Sequence, residues 1–90
     1  MNQPVLLATG TCKPGSFGAA IEALKDGKKV ARAGWNGKGM WLCLINPGNA
    51  MHLGFDMQKC IGMKTADSKM QPGWLASQAD MLAEDWAVVQ

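Results

Sequence analysis

The chain has 90 residues, which suits one domain and leaves room for only a modest core of its own. With 48% of the residues apolar and 18% charged, the composition excludes an intrinsically disordered chain. The formal net charge is only +2, and its densest cluster (Lys25, Lys28, Lys29, Arg32) is broken by Asp26; that argues against a DNA- or RNA-binding face and suits one small anion.

Residues 1–15 read as an arm carrying Pro4, Gly10, Pro14 and Gly15, with room for a short strand at 5–9. The apolar run Val5-Leu6-Leu7-Ala8 lacks a basic n-region and is too short for a signal peptide. No stretch approaches the roughly 20 apolar residues of a membrane helix, so no membrane partner and a cytoplasmic location are expected. Residues 16–25 read as the main helix. Ser16 is a suitable N-cap, Phe17, Ile21 and Leu24 share one face, which Ala20 widens, and Gly27 supplies a stop.

Residues 29–33 have strand character around Val30. The connection Gly34-Trp35-Asn36-Gly37-Lys38-Gly39 follows, and its Asn36-Gly37 pair predicts a tight hairpin turn. Residues 40–45 are apolar on both faces, which predicts a central strand, and Asn46-Pro47-Gly48-Asn49 is a turn. Residues 50–60 are the least readable, a strand at 51–55 or a loop. Residues 61–65 and 69–71 pattern as a hairpin around Ala66-Asp67-Ser68. After the Pro72-Gly73 break, Ser77 and Asp80 form an S-x-x-D capping box ahead of a short helix at 78–83, and 86–89 is a closing strand. The sum is an α+β domain over residues 16–90: a small, mostly antiparallel sheet with one main N-terminal helix and a short C-terminal one.

Catalytic chemistry is hard to assemble from these residues. His52 is the sole histidine and lies in the least ordered-looking stretch, so it reads as a surface residue. Cys12, Cys43 and Cys60 are odd in number and form no CxxC pair, the pattern of a reduced protein with no disulfide framework. No metal-ligand spacing and no phosphate loop are present, so no metal and no cofactor are expected. Asp80, Glu84 and Asp85 read as helix capping and a solvated face.

Binding chemistry is better represented. Four tryptophans stand in a chain with no tyrosine. Trp41 and Trp86 lie on strands and read as core; Trp35 and Trp74 lie beside glycines in breaks, where an indole can stack on a nucleobase for about 1–3 kcal/mol. Arg32 and Lys64 suit phosphate, with Arg32 the better bidentate partner. Asn36 and Asp67 suit ribose hydroxyls or base edges.

Two blocks carry a resemblance. The run from Phe17-Gly18-Ala19-Ala20-Ile21-Glu22 through Ala33-Gly34-Trp35-Asn36-Gly37-Lys38-Gly39-Met40-Trp41-Leu42 is similar to the opening of the second family of Thoeris anti-defence proteins of phages and prophages. Met63-Lys64-Thr65-Ala66-Asp67 and Trp74-Leu75-Ala76-Ser77-Gln78-Ala79-Asp80 through Trp86 resemble its closing part. Residues 1–15 are extra to that pattern, residues 46–60 fall where members vary, and Ser68 stands where many members have glycine.

The resemblance implies a non-enzymatic sponge, which sequesters cyclic ADP-ribose isomers made by TIR-domain enzymes without degrading them and so blocks Thoeris immunity. It also implies a homotetramer with ligand pockets between subunits. The site residues it suggests are Trp35 for stacking, Arg32 and Lys64 for phosphate, Asn36, Thr65 and Asp67 for ribose or base edges, and Trp74 and Ser77 for the pocket wall. Size agrees in kind, because a 90-residue domain does not easily enclose a nucleotide-sized pocket of roughly 300–1,000 Å³ by itself. Three other readings stand beside it: a sponge for CBASS cyclic di- or trinucleotides at the same or a separate site, a small phage structural or interaction protein, and a cyclic-nucleotide hydrolase. The last needs catalytic groups that the sequence does not assemble.

Overall fold

The computed structural model describes residues 12–89, and of Asn36 and Gly37 the backbone alone. The short strand expected at 5–9 lies outside the described residues. Helix α1 (Phe17–Lys25) starts where the Ser16 hydroxyl accepts the Ala19 amide at 3.1 Å, replacing one of the partners that a first turn lacks. It ends at Asp26 and Gly27, whose φ of 84° is the left-handed geometry that stops a helix.

The sheet strands are β1 (Lys29–Arg32), β2 (Trp41–Ile45), β5 (Cys60–Lys64), β6 (Met70–Pro72) and β7 (Trp86–Val89). They are ordered β6-β5-β2-β1-β7, and every pairing is antiparallel. Two further strands, β3 (Met51–His52) and β4 (Phe55–Asp56), form a separate hairpin, and helix α2 (Gln78–Leu82) precedes β7. The architecture is therefore the small α+β fold expected, with β2 at the centre of the larger sheet.

Side chains alternate between the two faces of a strand, so register decides what reaches the core. Val30 opposes Leu42, and Leu42 opposes Met63, which places all three beneath α1. There Leu42, Val30, Leu24, Ala20 and Trp86 form the buried core, with Phe17, Ile21, Ile61, Met63, Trp35 and Trp74 packed around it. The opposite face carries Trp41, whose ring lies 4.7 Å from the Lys29 ammonium, and Cys43, whose thiol pKa is pushed up by burial. Trp86 is core as expected, whereas Trp41 is a half-buried shield over the second face.

Two local expectations are corrected. Asn36-Gly37 does not make a two-residue hairpin turn: residues Ala33–Lys38 wind into a 3-10 helix, and eight residues separate the ends of β1 and β2. The longer connection lets Trp35 fold back on the core, which a tight turn would forbid. The ambiguous stretch at 50–60 is neither one strand nor a loop, but a hairpin turned by Leu53-Gly54.

Leu42 is fully buried, with 0% exposure, under the helix and between two neighbouring strands. Leu42→Ala should therefore lower the unfolding free energy by about 2–5 kcal/mol, read from urea denaturation. A loss below about 1 kcal/mol would show that the core is not centred there.

Candidate functional site

Three indoles meet on the helix-bearing side of the sheet. Trp35 comes from the 3-10 helix, Trp74 from the segment after the Pro72-Gly73 break, and Trp86 from the start of β7. The Trp35–Trp86 centroids are 5.4 Å apart at 80°, Trp35–Trp74 6.1 Å at 78°, and Trp74–Trp86 6.2 Å at 82°. Each is an edge-to-face pair, the arrangement in which the positive ring edge meets the negative face, worth about 0.5–1.5 kcal/mol beyond burial. Phe17 closes the cluster from α1, 5.7 Å from Trp86. The break positions Trp74 because Gly73 and Trp74 both donate their amides to the Ile61 carbonyl, at 3.0 and 2.8 Å.

Trp35 and Trp74 are thus half-buried wall, not free platforms at loop tips. Leu75, next to Trp74 in the chain, and Leu82, at the end of α2, stand exposed at 88% and 78%, apolar surface that no described residue covers.

Asp80 anchors this wall. Its Oδ1 accepts from Arg32 Nη1 at 3.1 Å and its Oδ2 from the Ser77 amide at 2.9 Å. Its backbone carbonyl accepts the indole N–H of Trp86 at 2.9 Å, and the Ser77 hydroxyl accepts the Asp80 amide, completing the expected capping box. Arg32 Nε donates to Asp85 at 3.0 Å. The guanidinium fork that sequence assigns to phosphate therefore faces two carboxylates, and Ser77 is a helix cap in the same network.

The other candidates lie around the β5–β6 turn. Lys64 donates from Nζ to the Gly39 carbonyl at 2.8 Å, tying β5 to the end of the segment that carries Trp35. An ammonium has three donors, so that bond leaves two for an anion. The Thr65 hydroxyl donates to Asp67 Oδ1, and Lys69 Nζ lies 3.3 Å from Asp67 Oδ2. These bonds, that from Thr65 foremost, hold the Asp67 carboxyl below its usual pKa. Thr65 and Asp67 thus form a pre-ordered anionic turn. The Asn36 side chain lies outside the described residues.

The structure accordingly brings Trp35 and Trp74 into contact and joins Arg32 and Ser77 to them through Asp80 and Trp86. Lys64, Thr65 and Asp67 sit on the turn at the far end of β5. Sequence reading missed Phe17, Asp80, Asp85 and Trp86 as parts of the site. Their signal is the β1–β7 register, in which Arg32 opposes Trp86, and only the fold reveals it.

A cleft of about 210 Å³ lies between α1 and β7, over Ala20, Val30 and Trp86, and is smaller than typical ligand pockets. Another of about 470 Å³ is lined by Lys25, Leu44, Lys59, Cys60 and Ile61, at the end of α1 and the start of β5. Among the described residues no three His, Cys, Asp or Glu side chains stand close enough to hold a metal ion. No helix there is long and apolar enough to cross a membrane. His52 is exposed on β3.

The model of the Thoeris anti-defense 2-like domain matches residues 15–89, which include every element described above. The chain belongs to the Thoeris anti-defense 2-like family. It is 44% identical to the Thoeris anti-defense 2 protein of Bacillus phage SP01, over 82% of this chain and 93% of that one. The family match begins at Gly15.

Asp80 makes the wall sensitive to acid. Burial raises its pKa, but the Ser77 amide and hydroxyl and the Arg32 guanidinium pull harder, and the net position is below the ordinary carboxylate value. A depressed folded-state pKa gives stability that is present above the unfolded pKa and is lost as pH falls through the folded one. Melting temperature should therefore drop as pH falls below about 4. Asp80→Asn should start lower at pH 7 and drop less over the same window, whereas parallel curves would remove Asp80 from the acid response.

Proposed function

We propose that this protein is a non-enzymatic sponge, which sequesters cyclic ADP-ribose-type nucleotides made by TIR-domain enzymes and releases them chemically unchanged. Holding the signal away from its effector would block Thoeris immunity. The observation that carries this reading is the half-buried Trp35–Trp74 wall, bordered by exposed Leu75 and Leu82, in a chain of the Thoeris anti-defense 2-like family.

In this role the Trp35 and Trp74 faces stack on the adenine, at about 1–3 kcal/mol per base. Lys64 supplies charge to the pyrophosphate, and Asn36, Thr65 and Asp67 take ribose hydroxyls or base edges. Arg32 and Ser77 act differently: both are committed to Asp80, so they position the wall from behind. A homotetramer suits this arrangement. The wall and the Thr65–Asp67 turn are separate on one chain, and a pocket between copies unites one copy's wall with another's turn. Keeping a second messenger below its effector threshold calls for a dissociation constant on the order of nanomolar, about −12 kcal/mol.

Titration calorimetry with TIR-derived cyclic ADP-ribose isomers, followed by heat release, tests the reading. Tight binding and recovery of intact nucleotide are expected. Altered nucleotide after release would make the protein an enzyme, and no binding to any isomer would end this reading in favour of cyclic di- or trinucleotides. Trp35→Ala should weaken binding by about tenfold or more through lost stacking. An unchanged affinity in that variant would rule out the wall as the stacking surface.

A further inference from the structure

Neighbouring strands of a sheet lie about 4.8 Å apart, so the five strands of the larger sheet span roughly 19 Å, whereas a helix with its side chains is about 10–12 Å across. One helix cannot cover that width. α1 packs chiefly against β7, β1 and β2, and it ends at Lys25. On the outer side of β5, β6 pairs with Gly62, Met63 and Lys64 and stops short of Cys60. The start of β5 is thus left open by the helix above it and by the strand beside it.

That open corner is the cleft of about 470 Å³ between Lys25, Leu44, Lys59, Cys60 and Ile61. Its volume lies within the range of roughly 300–1,000 Å³ that small-molecule sites occupy. Leu44 and Ile61 face each other across β2 and β5, on the same side of the sheet as Leu42 and Met63. Both are half-buried and supply an apolar floor. Cys60, a half-buried free thiol, lines the cleft as well.

The rim is positive. Lys59 has no carboxylate partner among the described residues, and Lys25 has only Glu22, at 3.9 Å. Two ammonium groups against one carboxylate leave about one unit of positive charge. Lys25 also stands at the carbonyl end of α1, whose partial negative charge disfavours a dianion. An apolar floor beneath a rim of one net charge matches a ligand with an apolar body and a single carboxylate, and not a phosphate dianion.

We propose that this cleft binds a small amphipathic carboxylate, an apolar chain or ring that ends in one carboxyl group. The apolar body lies on Leu44 and Ile61, and the carboxylate lies between the Lys25 and Lys59 ammonium groups. The site goes beyond the capture of a nucleotide and does not rest on it.

Calorimetric titration of the full chain with decanoate tests it. Decanoate should bind, and decanol and acetate should each bind about tenfold more weakly or worse, because one lacks the charge and the other the chain. Lys25→Glu and Lys59→Glu should each weaken decanoate by about tenfold or more while the melting temperature holds, since both side chains lie on the surface. Bound decanoate should also take away most of the rate at which N-ethylmaleimide alkylates Cys60, read by peptide mass spectrometry, whereas Cys12, which does not line the cleft, keeps its rate. No heat with decanoate, charge-reversed variants that bind it as the wild type does, or an unprotected Cys60 would each overturn the site. Decyl phosphate that binds more tightly than decanoate would overturn the choice of a carboxylate. A cyclic ADP-ribose isomer that displaces decanoate would overturn the cleft as a site of its own.

Discussion

Asp80 accepts hydrogen bonds from Arg32 on one carboxylate oxygen, from the Ser77 amide on the other, and from the Trp86 indole on the backbone carbonyl. Those partners belong to β1, to the start of α2 and to β7, so one residue holds three elements in register. The residues between Trp74 and Trp86 contain a helix of only five, far too short to persist on its own propensity. Its place depends on the cap, on the ion pair to Arg32 and on the indole bond. Trp74 and Trp86 bracket that segment, and Trp35 leans on both. The aromatic wall therefore depends on a polar hub behind it.

That division of labour suits a binding protein of this size. The described chain spends its polar groups on holding a shape: Arg32 is neutralised by two aspartates, Ser77 caps a helix, and Thr65 and Asp67 order their own turn. What remains for a partner includes the Lys64 ammonium and apolar surface, namely the exposed parts of Trp35 and Trp74, Leu75 and Leu82, and the β3–β4 hairpin. The proposed sequestration of a cyclic nucleotide asks for complementarity without transformation. A pre-ordered wall and a pre-ordered turn reduce the ordering entropy that binding must overcome.

Much of the fold was legible because local chemistry determines it. Ser16 and Gly27 bounded α1, Ser77 with Asp80 announced α2, and the apolar run at 40–45 marked the central strand. The failures came where tertiary packing overrode local preference. Asn36-Gly37 is a strong turn signal, but burying Trp35 outweighs it, and the chain winds a 3-10 helix to bring the indole inward. Leu53-Gly54 turns a hairpin although leucine is a poor residue for its first position, so the pair did not read as a turn. Site residues followed the same rule. Trp35 and Trp74 were legible as unusual indoles beside glycines, whereas their contact through Trp86 follows from pairing β1 with β7, across more than fifty residues. Arg32 looked like a phosphate ligand because its partners, Asp80 and Asp85, are distant in sequence and adjacent only in the folded sheet.

The most direct test of the wall as the capturing surface is to follow the four indole N–H resonances by heteronuclear NMR during titration with a cyclic ADP-ribose isomer. Trp35 and Trp74 should shift most, Trp86 should move less because its N–H is held by the Asp80 carbonyl, and Trp41 on the opposite face should stay in place. A titration that moves Trp41 and leaves Trp35 and Trp74 unchanged would contradict the account, because the nucleotide would then lie on the other face of the sheet.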